Sequence, residues 1–169
     1  MRKAIVVVAA VAVALAIFGC AKKAEEPTAE TVAPAMTVDD AKGQLKTVLE
    51  EVETLRAGAE KPTADLAQSF KDNVTKLETL HGELTAIEAP EADAPAYAEA
   101  TAKVKAAVEG VDGLAKLTEE AMAEKPAMTK EELETLSNNA KAKFVEACEY
   151  AAPDIAAKLA GPPAEEKTE

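Results

Sequence analysis

The chain has no tryptophan, one histidine and two cysteines, and only 3% of its residues are aromatic. Each shortage closes a class of function. Flat cofactors and sugars are usually held in pockets lined with aromatic side chains. Beyond the N-terminal apolar run the aromatics are Phe70, Tyr97, Phe144 and Tyr150, too few to line such a pocket. A lone histidine cannot build a site that needs two. Basic residues are scarce as well: 19 Lys and Arg face 31 Asp and Glu, for a net charge of −12. Such a surface repels phosphate backbones and anionic headgroups, so nucleic acid is excluded as a partner and cationic partners are favoured.

Long hydrophobic runs are also missing, with one exception at the start. Residues 4–18 carry no charge and are mostly Ala, Val, Ile and Leu. The run is shorter than the roughly 20 apolar residues a bilayer-spanning helix needs. Arg2 and Lys3 precede it, and Gly19 and Cys20 follow it. A basic start, a short apolar core and a small residue are the parts of an export signal. The segment resembles a bacterial lipoprotein signal peptide, with Ile17-Phe18-Gly19-Cys20 in the place of the lipobox and the bulky Phe18 where a small residue is usual. The resemblance implies that Cys20 takes a diacylglycerol on its sulfur and that the chain is cut before it. Two or three acyl chains would then give lasting attachment to a lipid bilayer.

Cleavage there would remove Arg2 and Lys3 and leave 150 residues of net charge −14. That length is one domain's worth. With Cys20 lipidated, Cys148 has no intramolecular partner, so no disulfide is expected even though the compartment would permit one. Ala21 follows the lipidated cysteine. In the lipoprotein family an Asp there commonly marks retention in the inner membrane of enteric bacteria, and Ala does not. The expected location is therefore the periplasmic side of the outer membrane, or the outer face of the cytoplasmic membrane in a single-membrane organism.

Residues 20–36 hold Pro27 and Pro34 and no apolar period. They read as a flexible tether reaching roughly 20–25 Å from the lipid. Residues 37–160 then fall into helical stretches divided by Pro62, Pro90 and Pro126. The first opens at Thr37, with Asp39 and Asp40 complementing the helix dipole. It carries Val38, Ala41, Leu45, Val48, Val52, Leu55 and Ala59 at alternating steps of three and four, a bundle-type seam. The second opens at Thr63 and carries Leu66, Phe70, Val74, Leu77, Leu80 or His81, Leu84 and Ile87. The third starts near Asp93 and Pro95, with a stripe of Tyr97, Thr101, Val104, Val108, Val111, Leu114, Leu117 and Ala121. Gly110 and Gly113 each weaken it by about 1 kcal/mol relative to Ala, and close helix approach is one reason to keep them.

The fourth begins with Thr129-x-x-Glu132, a capping box. Its stripe is Leu133, Leu136, Ala140, Phe144, Ala147 and Ala151. Pro153 and Asp154 start a short fifth helix over 155–160, and residues 161–169 form a polar tail. Short loops between similar helices give antiparallel neighbours. The expected fold is thus all-α: an up-down-up-down antiparallel four-helix bundle with a short C-terminal helix. The abundance of Ala predicts close helices and a thin core. The alternative is an elongated hairpin that completes its core as a homo-oligomer.

Candidate chemistry is sparse. Glu78 and His81 match Glu-x-x-His and share a helix face. Di-iron bundles need two such motifs and two further glutamates, and one histidine cannot supply them, so the pair reads as boundary residues rather than metal ligands. Haem needs either Cys-x-x-Cys-His, which is absent, or an axial pair of His81 with Met36, Met122 or Met128. Only Met122 of these falls on a helix, so no cofactor is expected. Cys148 reads as a buried thiol, with an intermolecular disulfide or a redox-sensitive thiol as the sharper alternative. The clusters at Glu50-Glu51-Glu53, Glu119-Glu120 and Glu131-Glu132-Glu134 lack calcium-loop spacing and read as solvated faces. No nucleophile elbow, phosphate loop or paired-carboxylate cleft is visible, so no enzyme is expected. The sequence points to a membrane-anchored envelope lipoprotein whose bundle is a structural or protein-interaction module. The alternative is a carrier holding metal, haem or an apolar small molecule in its core.

Overall fold

The computed structural model describes residues 36–160, which form five helices and, among the described residues, no strand. The signal segment, Cys20, all of the tether but Met36, and the polar tail lie outside the described residues. Helix α1 spans Val38–Gly58, α2 Ala64–Thr85, α3 Ala94–Met122, α4 Lys130–Ala151 and α5 Pro153–Ala160. Each helix packs on its neighbour in sequence, and α1 also meets α3 and α4, which closes the bundle. This is the expected all-α architecture.

The helix starts follow from side-chain caps. At Thr37 the Asp40 backbone N–H donates to Thr37 Oγ1 (3.1 Å) and the Thr37 N–H donates to Asp40 Oδ2 (3.1 Å). Two of the amides left free at a helix start are thereby satisfied. Thr129 and Glu132 repeat the arrangement in α4, and the Leu66 N–H donates to Thr63 Oγ1 in α2. Asp93 stands at the N-cap of α3 without a side-chain bond; Pro95, in the first turn, supplies a preset φ instead.

Buried residues largely follow the expected stripes, with informative departures. Leu49 joins Val48 and Val52 in the core because α1 touches three other helices, not one. Ala59 and Ala121 fall outside the core and are exposed. In α2 the choice at the stripe's edge falls on Leu80, which is buried, while His81 is half-buried. Met36 is buried too, and its carbonyl accepts a hydrogen bond from the Tyr97 hydroxyl (2.9 Å), so packing begins one residue before Thr37.

The largest departure is α3. Its burial is not confined to one stripe: Ala100, Ala106, Ala107, Gly110, Gly113 and Ala115 are all buried beside Val104 and Val111. The helix lies between α2 and α4 and also meets α1. Small residues on its remaining faces let those helices approach. A Cβ placed on Gly110 would lie 2.7 Å from the Phe144 backbone nitrogen and 3.1 Å from the Ala140 carbonyl oxygen. On Gly113 it would lie 2.5 Å from Ala140 Cβ. The two glycines therefore set the contact between α3 and α4. Ion pairs border the seams: Lys103 reaches Glu146 (3.3 Å) between α3 and α4, and Lys71 and Glu119 pair between α2 and α3.

Candidate functional site

Glu78 and His81 sit on α2, one exposed and the other half-buried. Among the described residues no group of three His, Cys, Asp or Glu side chains converges as a metal site would require. Met122, the helical candidate for an axial ligand, ends α3 with its side chain exposed. The structure thus brings no third ligand to the Glu78–His81 pair. Cys20 lies outside the described residues.

The acidic clusters are spent locally. Glu53 takes a bidentate pair of hydrogen bonds from Arg56, 2.8 Å to Nε and 3.0 Å to Nη2. Glu51 pairs with Lys76 across α1 and α2, and Glu119 with Lys71. Glu120 Oε2 accepts from the Ala127 N–H (2.9 Å) and so holds the turn between α3 and α4. Glu132 is the reciprocal half of its capping box. Of these, the exposed Lys–Glu ion pairs are worth about 0–1 kcal/mol each and shape the surface more than they stabilise it.

Cys148 has no exposed surface and sits in the core with Phe144, Ala147 and Ala151. Burial, then the charges of Glu53 and Asp154, push its thiol pKa up to about 12. A protonated, enclosed thiol is neither a nucleophile nor a ready disulfide partner.

Two of the surface cavities carry polar groups that the packing does not explain. The larger is an open groove of about 560 Å³ between α1 and α2, bordered by Glu50, Glu51, Asp72 and Lys76. Asn73 lines it and is buried in the α2 seam between Phe70 and Leu77. The Asn73 Nδ2 donates to the Ser69 carbonyl (3.0 Å), and its Oδ1 has no partner. A half-satisfied buried amide costs stability, and this one introduces a single polar group into an otherwise apolar seam.

The second cavity, about 340 Å³, is where four helices meet. Its charged lining is entirely basic: Arg56 from α1, Lys141 from α4 and Lys158 from α5. Its apolar lining is Leu114 and Leu117 of α3, Phe144 of α4 and Leu159 of α5. Ser137 adds a hydroxyl. Ser137, Lys141 and Phe144 follow at steps of four and three, which stacks them on one face of α4. The close approach at Gly110 and Gly113 seats Phe144, Ala140 and Leu136 against α3 and leaves Ser137 and Lys141 exposed at the edge of that contact. Lys141 and Lys158 form no ion pair with any described carboxylate, whereas Arg56 is held by Glu53. A cationic rim over an apolar floor is the opposite of the molecule's general character, with its net charge of −12.

No protein-family model, curated protein or solved structure matches the chain. The four-helix cavity is absent from the sequence reading because its residues are scattered from 56 to 159. The local signal within reach was Lys141: no acidic residue stands three or four positions away on either side of it.

Proposed function

We propose that this chain is a membrane-anchored lipoprotein of the bacterial cell envelope, with a non-catalytic helical bundle that serves as a structural and protein-interaction module. The observation that carries the reading is Cys20, placed after a basic start, a short apolar run and Gly19. The form of the described region supports it. A helical unit capped at Thr37 presents charged outer faces, and among the described residues no helix is long and apolar enough to cross a membrane. The acidic surface favours a cationic protein partner and disfavours anionic headgroups.

Lipid labelling of cells producing the wild type and Cys20→Ser tests the anchor. The wild type should incorporate labelled lipid and the variant should remain uncleaved and unlabelled. Normal labelling of Cys20→Ser would refute the reading. Density-gradient fractionation tests the location, and recovery mainly with inner-membrane markers in a two-membrane organism would refute the sorting expected from Ala21 while leaving the anchor intact. Ligand carriage is the second reading, and one observation favours it: the basic surface cavity bordered by α1, α3, α4 and α5.

A further inference from the structure

We propose that the cavity between α1, α3, α4 and α5 binds a small amphiphilic anion in free solution, a single carboxylate, sulfonate or phosphate head on a short apolar tail. The inference is independent of the lipid anchor. The volume, about 340 Å³, lies at the lower end of the range for small-molecule sites, about 300–1,000 Å³. That suits one short chain better than the two chains of a membrane lipid. Leu114, Leu117, Phe144 and Leu159 offer the tail an apolar floor.

The head is chosen by charge. In a chain where acids outnumber bases 31 to 19, three cations and no acid line this cavity. Two of them have a structural use. Arg56 and Lys158 stand in the last turns of α1 and α5, where cations offset the helix dipole. Lys141 has no such use, because it stands in the middle of α4 and pairs with no described carboxylate. Nor does Lys158 pair with Asp154 one turn back. Arg56 keeps guanidinium donors beyond the two that Glu53 occupies. An anionic head would thus meet two ammonium groups that pair with no described carboxylate, a guanidinium already oriented by Glu53, and the Ser137 hydroxyl. Charge-assisted hydrogen bonds of this type are the stronger ones.

The test uses the full chain in nanodiscs of zwitterionic lipid and a photoactivatable analogue of octanoate with a diazirine at the tail end. After irradiation, labelled peptides are mapped by mass spectrometry. Labels should concentrate on the segments holding Leu114, Leu117 and Phe144. Excess octanoate should suppress them and octyltrimethylammonium should not. The double variant Lys141→Glu/Lys158→Glu should lose labelling by about tenfold or more, as expected for losing charge-assisted contacts. Lys105→Glu, an exposed site on α3 outside the cavity, should label as the wild type does. Circular dichroism of each variant checks that the helices persist. Labels scattered over the exposed surface, equal competition by the cationic amphiphile, or undiminished labelling in the double variant would overturn the proposal. So would labelling of the cavity by photoactivatable phosphatidylglycerol in vesicles with none from octanoate, since the site would then belong to a membrane lipid. The two competition results on the wild type decide the question even if a variant fails to fold.

Discussion

Substituting Ala for Gly in this chain should change stability in opposite directions at different positions of similar helices. Gly43 in α1 and Gly82 in α2 face open space, with nothing within 4 Å of an added Cβ. There the intrinsic helix preference acts alone, and Gly43→Ala and Gly82→Ala should each stabilise by up to about 1 kcal/mol. Gly110→Ala has the same intrinsic gain but meets Phe144 N at 2.7 Å and Phe144 Cα at 3.0 Å. Carbon atoms in favourable contact stand about 3.5–4.0 Å apart. The obstacle is backbone and cannot rotate away, so α4 must retreat. Overpacking costs about 1–3 kcal/mol, and the rigid contact places Gly110→Ala toward the upper end. The net effect is a loss of about 1–2 kcal/mol. Gly113→Ala, which meets Ala140 Cβ at 2.5 Å, should behave alike. The double variant should cost less than the sum, because one displacement of α4 relieves both contacts. Urea unfolding of a chain lacking residues 1–20 is the assay. With a slope of about 1–3 kcal/mol/M the midpoints should separate by roughly 1 M between the two classes. A stabilised Gly110→Ala, or four substitutions that all move the midpoint the same way, would refute the close approach of α3 and α4.

Two further predictions concern ionisable groups. In the same truncated chain Cys148 should resist alkylation at pH 8 in the folded state and react fully in urea, because its thiol is enclosed and its pKa is raised to about 12; rapid native-state labelling would contradict this. The Asp40 carboxyl is held below its ordinary value by the Thr37 hydroxyl (2.7 Å), then by the Thr37 N–H. A depressed folded pKa gives stability that is complete above the unfolded value, near 4, and is lost as pH falls through the folded value. Thr37→Ala should therefore flatten the acid side of the stability–pH curve below about pH 4, and an unchanged slope would show that the cap has no such role.

The parts of the fold legible in the sequence are those encoded within one turn of chain. Thr63 and Thr129 mark helix starts because a short hydroxyl reaches an amide two or three residues on, and Pro62, Pro90 and Pro126 mark the breaks. The seams of α1, α2 and α4 show because Leu, Val and Phe stand out against charged neighbours. Helix α3 was legible only in part. Gly110 and Gly113 stand out as candidates for close helix approach, but Ala106 and Ala115 are buried by their small size, which leaves little trace in a hydrophobic pattern. Asn73 is invisible for the opposite reason, as a polar residue seated in a seam. The four-helix cavity exists only after the chain has folded. Arg56 and Lys158 taken singly are ordinary helix-end cations, and only their convergence with Lys141 over Leu114 and Phe144 gives them a common meaning.

Every helix here finds its main partner next in sequence, and the docking of α1 on α3 and α4 joins distant stretches. Loop-closure entropy is therefore small for most of the native contacts. Chains rich in such local contacts have low contact order and fold in microseconds to milliseconds. The hairpins α2–α3 and α3–α4 share one helix, so a nucleus formed on α3 can grow in both directions. For a chain whose apolar stripes would otherwise invite association, that topology shortens the interval in which they stand uncovered.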